Sequence, residues 1–440
     1  MGLSSKHHYE LVVEQIASSE TVEEERIECA SHSCETLTTS LITNFPDDCL
    51  NLIFQGLNTS IDQDSFGLTC RQWLRIQSNN RTSLWFHSPL SSQKILEVST
   101  ECFSIILCKL LVRFQYLKAL SLSGCPELTD AVASQSKYFG SHIQVLYLEN
   151  CSKYSDMKLC SVLSWFPRLT TISFKDSCIT DKGLEILAES CLSLQNVNLS
   201  NCQLISDSGV RFVSQNCREL RSLCISYCGN ITGIGLHGCS QTLTNLEAEH
   251  CNLESEGIKA IVSGGGLEHL NLAALLRPLP DNGKGFDLGM IGEGVAINLR
   301  VLNLAHCLSV VNNRTVAVIS KGCPLLREWN LSGCWMVDLE GWKAIGLNCN
   351  NMETLDLARC FYLNDLGLQA LCEGCSKLEK LYITAHSKVS DVQVQKTQCY
   401  QLSSKSEYII FISHLKLSCC GEFFQDTVIC LSAESIGILL

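Results

Sequence analysis

The stretch Leu117–Asp130, LKALSLSGCPELTD, decides how most of this chain folds. Its frame is an apolar residue, two variable ones, Leu, one variable, a second apolar residue, two variable, then Cys. The frame returns at Ile143–Cys151, Leu194–Cys202, Leu220–Cys228, Leu243–Cys251, Leu299–Cys307, Leu326–Cys334 and Met352–Cys360. Weaker copies start at Leu169, where Cys178 falls one place late, at Leu267, where Leu275 replaces the Cys, and at Leu378, where His386 does. The starts lie mostly 25 or 26 residues apart.

Each copy holds two periods. The L-x-L alternation turns one set of side chains inward on a short strand and the intervening ones outward. Most copies then carry a capping pair: Thr129–Asp130, Ser155–Asp156, Thr180–Asp181, Ser206–Asp207, Asn364–Asp365 or Ser390–Asp391. Such a pair caps a helix and sets a negative charge at its positive end. The helical frame that follows ends near a second Cys (Cys191, Cys217, Cys239, Cys323, Cys349, Cys375). One strand and one helix cannot bury their apolar faces alone; stacked copies can. A period of this size with this frame is similar to the leucine-rich repeat. The expected fold class is therefore α/β, a curved solenoid with a parallel sheet on its concave side and helices outside. It takes in residues 117–440 as about twelve repeats, the last a degraded one around Ile412–Cys420.

Composition agrees. Hydrophobic residues make up 46% of the 440 and charged ones 18%, which suits a stacked core. No apolar run reaches the roughly 18 residues of a membrane span. The opening MGLSSKHHYE lacks the apolar core of a signal peptide, and Lys6 breaks the myristoylation pattern. The expectation is a protein of the cytoplasm or nucleus. Of the 28 cysteines, half recur at the two periodic positions, where Cys serves as a small buried hydrophobe. Reduced thiols are then expected, and sequons such as Asn198 and Asn330 are incidental. The net charge is −12, and nothing resembles a nucleic-acid footprint.

Residues 1–40 are polar and acidic, with Glu23-Glu24-Glu25, and read as a flexible tail. Residues 41–86 read as a small helical module. Asn44 and Pro46 open a helix, Asp47 and Asp48 favour its N-terminus, and Leu50, Ile53, Phe54 and Leu57 form one apolar stripe. A second segment carries Phe66, Cys70, Trp73 and Leu74, and Leu84–Trp85 closes the module. Periodicity alone leaves open whether it caps the solenoid or docks a partner. The residues FPDDCLNLIFQGL, followed by LTCRQW and LW, closely resemble the F-box motif, with Phe45 in place of its usual Leu and Leu68–Thr69 ahead of Cys70-Arg71-Gln72-Trp73. Residues 87–116 join the two parts, and Cys102–Phe114 reads as a helix capping the solenoid.

One excursion interrupts the repeats. After Leu272 the spacing lengthens to 32, with Pro278, Pro280 and five glycines between Gly283 and Gly294, so residues 273–298 read as a loop. Those glycines lack a GK[ST] ending, Cys372–Cys375 is the only C-x-x-C, and neither HExxH nor GxSxG occurs. No catalytic residue, metal site or cofactor is expected. What remains is the concave face, whose outward positions include Glu149, Lys175, Asp176, Glu247, Glu249, His250, His269, His306, Glu328, Asp356 and Arg359, with Tyr147, Tyr227 and Tyr382 as aromatic anchors. A mixed acidic, His and aromatic surface inside a curve suits protein recognition.

An F-box ahead of Cys-containing leucine-rich repeats resembles the F-box/LRR proteins, particularly plant ones, over roughly residues 41–395. The resemblance implies a non-catalytic substrate receptor of an SCF ubiquitin ligase. Its F-box would bind a Skp-type adaptor, and through it the cullin and RING subunits. Its repeats would hold a protein substrate for ubiquitination and ubiquitin-dependent degradation. Pro46, Leu50, Ile53, Phe54, Leu57, Cys70 and Trp73 would then form the adaptor interface. The concave face and the 273–298 loop would hold the substrate. Two other readings stay open: a small-molecule sensor of the same architecture, and a scaffold outside any ligase.

Overall fold

The computed structural model describes residues 45–86, 100–129, 132, 142–151, 154–275, 288–293, 296–308, 310–384, 388–389, 399–401 and 407–411. The chain divides into two compact units, residues 1–53 and 54–440. The described part of the first unit opens the helix Asp47–Gln55, with Asp47 and Asp48 in its first turn and the Pro46 carbonyl accepting the Leu50 N–H at 3.1 Å. The acidic tail lies outside the described residues.

The second unit starts with two short helices, Ser60–Gly67 and Arg71–Asn80. Phe54, Phe66 and Trp73 hold them together, with ring centroids 5.2 and 4.3 Å apart in succession. Arg81 is buried, paired with Asp64. Then comes a departure from the sequence reading. Leu84–Trp85 does not close the helical module; Ser83–Trp85 is β1, the first strand of the solenoid, parallel to β2, Ala119–Ser121. The helix Thr100–Arg113 joins the two, so a repeat precedes the first copy of the frame. From that helix Arg113 donates to Gln77 Oε1 at 2.7 Å and to Ser78 Oγ at 3.1 Å, which ties residues 71–80 to the solenoid.

The parallel sheet continues as β3 Val145–Tyr147, β4 Thr171–Ser173, β5 Asn196–Asn198, β6 Ser222–Cys224, β7 Asn245–Glu247, β8 His269–Asn271, β9 Val301–Asn303, β10 Glu328–Asn330, β11 Thr354–Asp356 and β12 Lys380–Thr384. In each strand from β2 to β11 the central residue is buried, from Leu120 to Leu355 by way of Trp329, and the register aligns them in one row with the buried Leu381 of β12. Burying a side chain of this size contributes about 1.5–3 kcal/mol. Behind the sheet stand the helices Asp156–Leu163, Asp181–Ser190, Asp207–Asn216, Ser255–Ser263, Asn313–Gly322, Leu339–Asn348 and Asp365–Gly374. Strands sit about 4.8 Å apart and helices about 8–10 Å apart, so such a stack curves with its sheet inside.

A strand of three residues needs more than its own ladder bonds. The residue just before the Cys position adopts a left-handed conformation in ten successive copies: Gly124, Asn150, Asp176, Asn201, Tyr227, His250, Ala274, His306, Gly333 and Arg359. In nine of these, Gly124 to Gly333, the amide donates to a carbonyl of the next copy, at 2.7–3.0 Å. The Cys position adds a second rung. Cys202, Cys228, Cys251, Cys307, Cys334 and Cys360 each donate S–H to a main-chain carbonyl of the preceding copy at 3.0–3.2 Å. Burial pushes the Cys202, Cys251 and Cys360 thiols up to about 12, so they remain protonated donors. In the Leu169 copy the position belongs to Ser177, not to the exposed Cys178; Ser177 Oγ makes the same bond, to the Leu148 carbonyl at 2.7 Å.

The capping pairs work as a third ladder. Thr180, Ser206, Asn312, Asp338 and Asn364 accept backbone N–H groups at their helix starts. Asp181 accepts Ser206 N–H and O–H at 2.7 and 2.6 Å, Asp156 accepts the Thr180 hydroxyl and Asn313 accepts the Asp338 N–H, so these three caps are held by the helix before them. The Leu220 copy has no α-helix: a single 3-10 turn, Ile234–Leu236, stands there. Asp207 compensates by accepting four bonds, from Thr232 N and Oγ1, Gly233 N and Gly235 N, at 2.7–3.0 Å. Gly257 lets the next helix sit against this turn, since a Cβ there would lie 1.9 Å from the Thr232 carbonyl oxygen.

Two irregular regions differ from expectation. Of the 273–298 excursion, residues 276–287 lie outside the described set, while Leu288–Gly292 forms a 3-10 turn with Leu288 and Ile291 buried in the outer layer. That half of the excursion is packing, not a free loop. At the other end, β12 pairs antiparallel with β14, Glu407–Phe411, and β14 with β13, Cys399–Gln401. The parallel run therefore stops at β12, and no twelfth frame copy follows among the described residues; 412–440, and the Ser390–Asp391 pair, lie outside them.

Asp207→Ala should lower stability by about 2–4 kcal/mol, because it strands several part-buried N–H donors, and Asp181→Ala by about half as much. Urea denaturation of both variants checks the ranking; equal losses would contradict the compensating role of Asp207.

Candidate functional site

Outward residues of the sheet fall into columns set by the strand register. The first strand position carries Asn245, His269, Val301, Glu328, Thr354 and Lys380 across β7–β12. The third carries Glu247, Asn271, Asn303, Asn330, Asp356 and Tyr382. Two residues further on come Glu249, Ala273, Ala305, Ser332 and Ala358, and then the left-handed row.

The structure gathers six of these residues into one cluster over β6–β8. Glu247 accepts from His269 Nε2 at 2.9 Å and from Asn271 Nδ2 at 2.7 Å. Partial burial raises the Glu247 carboxyl, but the bonds from His269 and Asn271 outweigh it and hold the group below its ordinary value. Alongside, Tyr227 donates its hydroxyl to Glu249 Oε1 at 3.0 Å and stacks on His250, centroids 4.7 Å apart. The bond to Glu249 raises the Tyr227 phenol. Glu247, Glu249, His250, His269 and Tyr227 thus form a single polar and aromatic patch.

The remaining expected residues lie elsewhere on the same face. Glu149 accepts from Ser173 Oγ at 2.6 Å, and the Tyr147 ring lies 4.9 Å from that of Trp85. Trp85 and Tyr147 are both in register with Ser121, whose small side chain lets the rings meet over it. Trp85 was missed because it was read as the end of the helical module. Lys175 and Asp176 are on the neighbouring turn, Lys175 exposed. His306, Glu328 and Arg359 are exposed on β9–β11 and their turns, with Tyr382 part-exposed on β12. Asp356 has a structural role: its Oδ1 accepts the Ala358 N–H at 2.9 Å.

Beyond the sheet edge the loops after Cys334 and Cys360 expose Trp335, Met336, Phe361 and Tyr362, with the Lys388 ammonium 5.1 Å from the Tyr362 ring centre. The signal was present as two bulky apolar residues directly after Cys in successive copies, but the frame treats those positions as variable.

The left-handed row carries a cost. Outside Gly, Asn and Asp, that conformation is unfavourable by roughly 1–2 kcal/mol per residue. Tyr227, His250, His306 and Arg359 hold it with φ of 63°, 54°, 58° and 58°. Tyr227, His306 and Arg359 keep this strain at exposed positions and His250 at a half-buried one, where Gly124 and Gly333 show that glycine serves.

Among the expected adaptor residues the structure draws a line. Leu50 and Phe54 are buried, at 0% and 3% exposure. Of the expected stripe Leu50, Ile53, Phe54 and Leu57, only Leu50 and Phe54 are therefore buried. Leu57, Cys70 and Trp73 are half-buried, while Pro46 and Ile53 are exposed together with Phe45 and Leu52.

A model described as "Leucine Rich repeat" matches residues 190–214, 322–346 and 348–372. F-box/LRR-repeat protein 12 of Arabidopsis thaliana is 48% identical over 306 residues, covering 69% of this chain and 76% of its own. The chain belongs to the F-box/LRR-repeat family. F-box protein SKIP19 of the same plant is 29% identical over 111 residues, covering 25% of this chain and 35% of its own. The yeast Rad7–Elc1 complex contains a chain that aligns at TM-score 0.45 and 15% identity over 90% of each chain, a likeness too loose to argue from.

Two outcomes test the site. The low Glu247 carboxyl gives stability present above the ordinary carboxylate range and lost as pH falls through its folded value. Glu247→Gln should therefore flatten the acid limb of the stability–pH curve by up to about 1 kcal/mol; unchanged curvature would contradict the bonds to His269 and Asn271. His306→Gly and Arg359→Gly should leave the thermal midpoint equal or higher, since glycine relieves the strain; a clear fall would show that these side chains support the fold.

Proposed function

We propose that the chain is the substrate-recognition subunit of an SCF-type ubiquitin ligase. Its F-box docks on a Skp-type adaptor, and its sheet face holds a protein for ubiquitination and ubiquitin-dependent degradation. The observation that carries the reading is the left-handed row given to Tyr227, His250, His306 and Arg359, side chains that cost the fold and serve recognition. The receptor positions and does not catalyse; it raises the effective concentration of the substrate beside the conjugating enzyme. We place it in the cytoplasm or nucleus, where the adaptor and reduced thiols coexist.

For the adaptor, the contact set is the exposed apolar residues Phe45, Pro46, Leu52 and Ile53; of the other residues that the F-box resemblance implies, Leu57, Cys70 and Trp73 are half-buried and Leu50 and Phe54 buried. Pull-down with a purified Skp-type adaptor tests this. Leu52→Asp with Ile53→Asp should abolish binding at unchanged melting temperature. Leu50→Ala with Phe54→Ala should weaken binding only through unfolding, each substitution costing about 2–5 kcal/mol. Full binding by the Leu52/Ile53 double variant would refute the docking surface.

A small-molecule sensor is a second reading, favoured by one feature. A cleft of about 570 Å³, lined in part by Gln63, Tyr116, Lys118, His142, Gln144 and Arg168, is of ligand size. A ligand that raises the melting temperature of wild-type protein but not of Lys118→Glu would establish it.

A further inference from the structure

Three asparagines stand in register at the third position of β8, β9 and β10: Asn271, Asn303 and Asn330. Each folds its own side chain onto the backbone. Oδ1 accepts the N–H two residues on, from Ala273 at 3.0 Å, Ala305 at 3.0 Å and Ser332 at 2.8 Å. Only oxygen can accept an N–H, so this bond also fixes which way the amide lies. The Nδ2 hydrogens are left over as donors. Asn271 gives one to Glu247 Oε2 at 2.7 Å, which shows that the group reaches an oxygen along the sheet. Asn303 and Asn330 have no Nδ2 partner among the described residues.

We propose that Asn303 and Asn330 are specificity-determining residues of the sheet face, donating their amide hydrogens to main-chain carbonyls of an extended protein segment laid across β9 and β10. This rests on the reading that the face holds a protein substrate. Three observations select the occupant. Two residues on, Ala305 and Ser332 are small and almost fully buried, so neither side chain stands between the amides and an approaching backbone. The strands are about 4.8 Å apart, and one extended segment spans both amides. The only charges at the outward strand positions of β9–β11 are acidic: exposed Glu328 lies two residues before Asn330 on the same face, and Asp356 is in register with Asn330. A phosphate or carboxylate would meet those carboxylates, whereas a neutral peptide carbonyl accepts the same hydrogen bond without repulsion.

The fold supplies its own control. Asp356 occupies the same strand position and makes the same turn bond, so Asn303→Asp with Asn330→Asp keeps Oδ1 and replaces each donor by an acceptor. Serine also occurs there, at Ser121 and Ser173, so Asn303→Ser with Asn330→Ser removes the donors without adding charge. The experiment selects a phage library of random dodecapeptides on the wild-type full chain. Enriched peptides are then titrated against wild type and both double variants, with melting curves and adaptor pull-down alongside. Peptides without acidic enrichment that bind each folded double variant at least tenfold more weakly are the expected result. Affinity unchanged in either folded variant, enrichment of acidic peptides, or enrichment no better than on an empty support would overturn the proposal. Loss of adaptor binding with asparagine-dependent peptide binding intact would instead remove the ligase reading and leave the peptide site standing.

Discussion

A three-residue strand cannot hold itself in a sheet, and the molecule depends on how that shortfall is met. Each strand is extended into the next copy by one residue held left-handed, whose amide reaches the neighbouring carbonyl just beyond the ladder. That turn brings the Cys position inward, where a protonated thiol or, in Ser177, a hydroxyl bonds back to the copy before. Both rungs join sequence neighbours only, so the stack propagates locally and needs no second core.

The same constraint sorts the outward surface. The third strand position is tied to its own turn wherever Asn or Asp stands there, as in Asn198, Asn303 and Asp356. The residue two places on tends to be small or bonded. The left-handed position is the one from which a long side chain leaves the surface, and it is where strain would be avoided by glycine. Tyr, His and Arg at that position make the rim chemically distinctive while the backbone stays uniform.

Much of this was legible because the repeat is written in periods that geometry enforces. The L-x-L strand, the capping pair and the Cys position all follow from which atoms face inward, and the structure places them as the frame implies. Exceptions arise where a partner outside the frame decides. Ser83–Trp85 carries only one frame residue, Leu84, and becomes a strand because Ala119–Ser121 offers it an edge. Leu50 and Phe54 were placed on a docking face because the F-box resemblance carries the whole stripe over, and periodicity does not say which of its residues a neighbour covers. The Leu220 copy keeps its strand yet loses its helix, since Asp207 satisfies the turn that replaces it. The asparagine donors could not be read from residue type at all, because the deciding fact is which end of the amide the backbone already uses.

The central claim is that the left-handed amides are structural rungs and not surface loop groups. Hydrogen exchange of the native full chain, resolved to single residues by fragmentation mass spectrometry, tests it most directly. The amides of Asn201, Tyr227, His250 and His306 should be protected as strongly as those of the strand centres Val197, Leu223, Leu246 and Leu302. Exchange at the rate of a turn amide such as Gly229 would contradict the account.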